Sequence, residues 1–562
     1  MENKHVPPAR PASMHHGVME RGLNATVSSR LFEGRFGRIF RTLPAAVFDD
    51  KDLTALANKM VADPEVDPVT NQPQVTPETG DENGLNDDEE NFLIPAGYTY
   101  FGQFIDHDIT FDPMSSLMKQ NDIDGLVDFR TPALDLDNLY GRGPDDQPYM
   151  YDDTGRKFNL NKRELTGGIP ERALTNDLPR FGERALIGDK RNDENVIVSQ
   201  LQGLFLRFHN HVADKFPDFP FAEIQRIVRW HYQWLVLFDF LPRIIGKERV
   251  REILPHLLKK GHEDKDNTAI YEIKPDLRFF KWHEFPFMPV EFSGAAYRFG
   301  HSMIRPIYRL SQKDLPNQTV IKGLDGRKAI FAPVKDDGLN GFRIFPSDWG
   351  IEWDLFFDTR SKKFSSDVKN KTRVQPAYKI DTSLVSPLRF LPEFSKKNSN
   401  TPLPGQINSL ALRNLKRGVA LGLPSGQDVA RFMGLIPLKD EELIVDKANT
   451  GGTKDGKSII EVGGAAFTGK APLWFYILAE ARHEWEKNAA NEKDDAHKNL
   501  VGTRLGAVGG RIVGEVLIGL ILGDKNSFLS LDPTWKPHFG DISAHSVFEK
   551  FKVGDIVDLL KK

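Results

Sequence analysis

The residues best suited to chemistry sit together in Phe101–Pro113, FGQFIDHDITFDP. A His stands between two Asp residues, with a Gln four positions before it, in apolar and aromatic surroundings. Burying charge or imidazole is costly unless the group is paired or bound. Four such residues in one apolar segment therefore suggest a site. On a helix turning about 100° per residue, Gln103, Asp106 and His107 fall within an arc of roughly 100°, and Asp108 points off it. One helix would offer the first three to one ligand and Asp108 to another. A helix start with solvated acids fits the same spacing, which leaves both readings open.

Two further segments carry candidate ligands. TPALDLDNLYGRGPDD (Thr131–Asp146) places Asp135 and Asp137 at alternate positions in a stretch too extended for a helix. Oxygen donors at alternate positions suit Ca²⁺, which takes six to eight of them. An acidic turn would read the same way, and the pattern is not an EF-hand. FSGAAYRFGHSMIRPIYRL (292–310) holds His301 in an apolar segment. Gly294, Tyr297, His301 and Ile304 share a helical face, and small neighbours beside the His leave room for a flat ligand. His209, His211 and His231 lie among periodic apolar residues and read as structural.

Two motifs mislead. GGTKDGKS (Gly451–Ser458) fits the P-loop pattern, which needs a buried strand before it and a helix after it. Here the lead-in Leu443-Ile444-Val445 is short, and SIIEVGGAAF breaks at Gly-Gly, so a glycine-rich surface turn is expected. His483-Glu484 lacks the second His of a zincin motif.

The elements that must position these residues are mostly helices. Val198, Leu201, Leu204, Phe205, Phe208 and Val212 recur at three and four, as do Ile227, Trp230, Trp234, Leu235, Phe238 and Leu241 within Ile224–Ile245. Further helices are expected at 407–435, with a turn between two of them, and at 471–490 and 503–522. Residues 1–90 read as an N-terminal arm followed by an acidic surface loop, and 91–562 as one large domain.

Composition narrows the classes. Lys+Arg 75 against Asp+Glu 79 argues against a dedicated nucleic-acid binder. The absence of Cys excludes disulfides, thiolate catalysis and Cys-held metals. Apolar runs such as Val516–Leu522 are too short to span a membrane. The N-terminus has no apolar stretch of signal-peptide length. The default expectation is thus a cytoplasmic protein, or one exported by a signal-independent route.

Taken in order from about 94 to 528, these segments resemble the animal-type haem peroxidases of the peroxidase–cyclooxygenase superfamily, in a bacterial-looking form similar to lactoperoxidase and myeloperoxidase. FGQFIDHD resembles the distal-haem helix. The resemblance implies His107 as distal acid–base, Gln103 as holder of distal water or halide, Asp106 as an ester-forming carboxylate and Asp108 as a Ca²⁺ ligand. DLDNLYG resembles the calcium loop, with Thr131, the Ala133 carbonyl, Asp135 and Asp137 at ligand positions. Arg191-Asn192-Asp193-Glu194 resembles the R-x-x-E segment, which makes Arg191 the distal arginine and Glu194 the second ester carboxylate. YRFGHSMI resembles the proximal segment, with His301 as iron ligand. Asn414, ten residues before Pro424, matches its amide partner. Arg298 and Arg417 fall where haem propionates are met.

The resemblance implies a mainly α, large single-domain fold with long loops and little β-structure, holding haem b and Ca²⁺. It implies reduction of hydrogen peroxide with oxidation of a halide, thiocyanate or small phenol, and a part in the response to oxidative stress. Asn195 stands where a third, sulfonium link would need Met, which argues against strong chloride oxidation. Fatty-acid dioxygenases of the superfamily place a radical Tyr three residues before the proximal His. That position is Arg298 here, with Tyr297 one residue early, so peroxidase is favoured over dioxygenase, and a P-loop protein is a distant third.

Overall fold

The segment that carries Gln103 to Asp108 is a helix, Gly97–Ile109. The computed structural model describes residues 34–62, 65–66, 73–74, 88–110, 127–128, 130–165, 175–255, 275–311, 327–331, 338–366, 373–396, 399–538 and 550–561. The end of the opening stretch, 111–113, and most of the acidic loop lie outside the described residues. Helix accounts for about 48% of the described residues and strand for 10%, so the mainly α expectation holds. We number the longer helices α1 (Asp50–Met60), α2 (Gly97–Ile109), α3 (Val196–Lys215), α4 (Phe221–Leu235), α5 (Leu410–Ala420), α6 (Gly426–Phe432), α7 (Leu473–Ala489), α8 (Ala507–Gly523) and α9 (Val553–Leu560).

The periodic segments fold as expected, with local exceptions. Helix α4 continues through a π turn, Val236–Phe240, into Leu241–Ile244. Pro242 has no N–H for the carbonyl four residues back, and a widened turn ahead of it accommodates that loss. GGTKDGKS is neither a P-loop nor a plain turn. Thr450–Asp455 is a short helix capped by Asn449, whose Oδ1 accepts from Gly452 N–H at 2.6 Å. Lys457–Ser458 then pairs antiparallel with Ile444–Val445.

Helix α2 is fixed from both sides. It follows the strand Glu90–Pro95, which pairs antiparallel with Pro376–Tyr378 through a bulge. Its apolar face meets α3 and α4. Phe101 and Phe104 stack on Phe205 at 6.1 and 4.9 Å, and Tyr232 stands edge-on to both. Such aromatic contacts add about 0.5–1.5 kcal/mol each beyond burial. Helix α3 starts at Asn195, whose Oδ1 accepts from Ile197 and Val198 N–H at 3.0 and 2.9 Å. A cap of this kind is worth about 1 kcal/mol.

Helices α7 and α8 pack through the centre of the body. Gly509 allows the close approach, because a Cβ there would stand 2.5 Å from Ile477 Cγ2. The described part of the N-terminal segment packs on the body. Ile39 and Phe40 N–H donate to the buried Glu291 carboxylate at 3.1 Å each, and α1 rests on α5. Among the described residues no helix is long and apolar enough to cross a membrane.

Candidate active site

Gln103, Asp106 and His107 open into one cavity of about 710 Å³, which Glu194, Arg298, His301, Asn414 and Arg417 also line. Asp108 faces away from it, as the helical arc requires. The cavity size lies inside the roughly 300–1,000 Å³ range of cofactor and small-molecule sites.

His107 is buried, at 4% exposure. Its Nδ1 stands 2.7 Å from Asn192 Oδ1 and its Nε2 3.9 Å from Glu194 Oε1. Burial and the Arg191 charge push its pKa down to about 4, against the pull of Asp189 and Asp106. The ring is neutral at ordinary pH and able to accept a proton. Burial opposes ionisation of Asp106, but Arg298, His107 and Arg191 outweigh it and hold the carboxyl below its usual value. Thr110 Oγ1 donates to Asp106 Oδ1 at 3.1 Å. Glu194 goes the other way: burial and the nearby Glu393 charge push it up to about 8. Gln103 Nε2 donates to Glu194 Oε1, and Gln103 Oε1 accepts from Asn195 Nδ2 at 3.2 Å. The cap of α3 thus also holds the site glutamine.

A short loop fixes Glu194 from behind. Gly341 and Phe342 N–H donate to the Glu194 and Asp193 carbonyls at 3.0 and 2.7 Å. A Cβ on Gly341 would stand 1.7 Å from the Asp193 oxygen, so only glycine fits.

The sequence expectation for Arg191 needs correction. Its guanidinium donates to the His107 and Thr110 carbonyls at 3.0 and 2.6 Å and to both Asp189 oxygens, and it is not among the residues lining the cavity. Arg191 acts on the site through its charge and its grip on the backbone of α2. The capping side chain of Asp189 fixes this, since it takes both the Arg191 N–H and the guanidinium.

His301 sits in the 3₁₀ turn Ala296–His301. The expected continuous helical face breaks at Ala295, and Gly294 packs toward Leu421 rather than lining the cavity. Gly300 does line it, and a Cβ there would meet nothing within 4 Å among the described residues. Burial and the Arg298 charge push His301 down to about 3, so the ring is neutral and able to ligate. Its Nδ1 lies 2.8 Å from Asn414 Nδ2. As placed, the amide N–H faces the ring. Turning the amide over presents its oxygen, the orientation that Nε2 ligation of a metal requires. Arg298 Nε donates to the Ser293 carbonyl at 2.8 Å. Arg413, unforeseen from the sequence, also lines the cavity, with its guanidinium 3.7 Å over the Phe394 ring.

On the other face of α2, carboxylate oxygens of Asp108, Asp135 and Asp137 lie within 4.8 Å of one another. Leu136 between the two loop acids takes the left-handed conformation, φ 60°, and the helical turn Asp137–Tyr140 begins earlier than the extended reading allowed. Asp108 is fully buried. Its Oδ2 accepts from Leu136 N–H at 3.2 Å, while Oδ1 has no hydrogen-bond partner among the described residues. Burial, then the Asp135 and Asp137 charges, push its pKa well up. An orphaned carboxylate oxygen among hard donors fits a hard cation. Thr131 and Ala133 lie earlier on the same loop, where Ala133 N–H donates to the Thr131 carbonyl at 2.7 Å. The sequence reading missed Arg130, which pairs with Asp137 at 2.6 Å and also with Asp189.

Residues 125–342 match the sequence model of the animal haem peroxidase family. Thyroid peroxidase of Mus musculus is 24% identical over 262 residues, 42% of this chain and 26% of that protein. Chorion peroxidase of Drosophila melanogaster is 27% identical over 256 residues, 44% and 26% respectively. The chain spans about a quarter of the length of these relatives. Peroxidase A from Dictyostelium discoideum has a similar fold, with TM-score 0.53, 14% identity and coverage of 94% and 93%. The matched segment, these relatives and the shared fold support the animal-type haem peroxidase superfamily. Fatty acid alpha-dioxygenase of Oryza sativa shares the fold at TM-score 0.51 and 17% identity, covering 88% of this chain and 76% of that one. The family of the matched segment is one that implies a haem cofactor. The residues present fit one: a neutral His beside an amide, an open glycine next to it, and cationic Arg298, Arg413 and Arg417 on the same cavity.

Proposed function

We propose that this chain is a haem peroxidase that reduces hydrogen peroxide and oxidises a halide, thiocyanate or small phenol. The observation that carries the reading is the pairing of His107 and His301. Both are neutral, both line one cavity, and each has its Nδ1 at an Asn amide. That leaves each Nε2 for the cavity. His301 would hold the iron, Arg298 and Arg417 the propionates, and Asp106 and Glu194 up to two ester links. Bound there, haem would supply the redox chemistry, passing two electrons to peroxide and recovering them from the donor.

His107 Nε2 takes the proton from the near oxygen of peroxide and returns it to the far oxygen, which leaves as water. The neutral ring is the form that can accept this proton. Arg191 adds positive potential as charge develops on the departing oxygen, and it anchors the helix turn that bears His107. Gln103, held by Glu194 and Asn195, presents a polar group to peroxide, water or halide. Ca²⁺ at Asp108, Asp135 and Asp137 ties α2 to the loop and keeps His107 in register.

The test is reconstitution with haem followed by absorption spectra and acid–acetone extraction. The expected result is a bound haem that resists extraction and a peroxide-dependent oxidation of iodide, thiocyanate or guaiacol. Failure to retain haem overturns the reading, and free extraction overturns the ester links alone. One observation favours a second reading as a fatty-acid dioxygenase: the Tyr297 hydroxyl is buried without a hydrogen-bond partner, and Tyr297 lines the cavity. Oxygen uptake with linoleate that is lost in Tyr297→Phe would select it.

A further inference from the structure

One turn grips His107 at two points. From Lys190–Asp193, Arg191 reaches the His107 carbonyl at 3.0 Å, and Asn192 Oδ1 reaches the ring Nδ1 at 2.7 Å. Asn192 is held in turn by α3, where its Nδ2 donates to Gln202 Oε1 at 2.8 Å. Asn192 and Gln202 are fully buried. With its N–H given to Gln202, Asn192 turns its oxygen to the ring, while Gln202 Nε2 is buried with no hydrogen-bond partner among the described residues.

An amide can show an imidazole nitrogen either its oxygen or its N–H. The oxygen demands a proton on Nδ1 and leaves the Nε2 lone pair free. The N–H demands the reverse and leaves the cavity without a base. The choice comes from outside α2, because the partner of the ring Nδ1 is 85 residues away in sequence. An amide also makes the choice without adding charge beside Asp106, Asp189 and Glu194.

We propose that Asn192, oriented by Gln202, is the positioning residue that fixes the Nδ1–H form of His107 and so turns its Nε2 lone pair to the peroxide. The proposal rests on the peroxidase reading above. It is distinct from the grip of Arg191 on the same residue, which acts on the backbone and leaves the ring tautomer open.

The experiment has two readouts. In haem-free protein with ¹⁵N-labelled histidine, and with His107→Gln to assign the signal, Nδ1 of His107 should resonate as the protonated nitrogen and Nε2 as the bare one. Asn192→Asp presents acceptors only and should keep the proton on Nδ1. Asn192→Leu, of similar size without the acceptor, should give a mixture of tautomers. In haem-loaded protein, stopped-flow reaction with peroxide should slow about tenfold or more in Asn192→Leu, part of the acid–base contribution. Should that variant fail to fold, Gln202→Leu frees the same amide without touching His107 and gives the same tautomer readout. A proton on Nε2 in the wild type overturns the proposal, as do an unchanged tautomer and rate in a folded Asn192→Leu. A wild type that shows the tautomer dependence but does not react with peroxide supports the positioning role and sinks the peroxidase reading instead.

Discussion

The two faces of α2 solve opposite problems. On the cavity face, Gln103, Asp106 and His107 each have a defined hydrogen-bond partner, and the imidazole and Glu194 are both pushed toward their neutral forms. One residue further on, Asp108 lies in a cluster of three carboxylates, with one oxygen that has no hydrogen-bond partner among the described residues. The nearest counter-charge there is Arg130, which Asp137 shares with Asp189. The cavity face is pre-paired, and its imidazole is neutral, as it needs to be if it is to accept a proton. The other face gathers three carboxylates with only Arg130 paired to one of them, the arrangement on which the proposed cation site rests. A rotation of about 100° on one helix separates a catalytic arrangement from a binding one.

Catalysis is where the faces should differ most. His107→Leu should slow the reaction of the haem-loaded protein with peroxide by about 10²–10⁴-fold, the usual contribution of a positioned acid–base group. Asp108→Asn should cost less than about tenfold under the same conditions, because it acts only through the register of the helix. Stopped-flow rates on the two variants decide this. Equal losses would mean that the faces do not work separately.

That division was partly legible in the sequence. The helical arc separated Gln103, Asp106 and His107 from Asp108, and the apolar periodicity of α3 and α4 gave the packing that holds α2. Local spacing sufficed for both. The partners were out of reach because they depend on long-range contacts. Asn192 lay inside the quoted R-x-x-E segment, yet its contact to His107 spans 85 residues. Arg130 could be seen beside the loop acids, but its bridge to Asp189 spans 59. Arg191 was assigned to the cavity by resemblance. Asp189, two residues before it, captures the guanidinium, a local cap that the motif does not encode. The break at Ala295 was likewise hidden, because small residues in an apolar segment fit a helix and a 3₁₀ turn alike.

Cation binding should separate the faces next. Ca²⁺ at a hundredfold excess over its Kd should add about 2.7 kcal/mol of stability by mass action. Thermal or denaturant melts in Ca²⁺ and in EGTA measure it. Asp108→Asn should abolish the dependence and raise stability in EGTA, because it removes one of three repelling carboxylates. His107→Leu should leave the dependence intact. Loss of the Ca²⁺ effect in His107→Leu would show that the cation is held through the cavity face.

The smallest difference should appear in acid, where the two faces oppose each other. The folded pKa of His107 lies at about 4, below its ordinary 6.5. As pH falls through that window the unfolded chain takes up the proton first, so stability is lost between 6.5 and 4 and is level on either side. A shift of this size is worth at most roughly 3 kcal/mol. The buried His209 and His231 act in the same direction. Asp108 in ion-free protein has the opposite sign. Its raised pKa makes its contribution fullest below the ordinary 3.8 and lost as pH rises through the folded value, so acid relieves this face. Relative to wild type in EGTA, stability should fall less between pH 6.5 and 4 in His107→Leu and more in Asp108→Asn, and denaturant midpoints across that range measure both. A His107→Leu slope equal to that of the wild type would mean that the ring does not resist protonation in the fold.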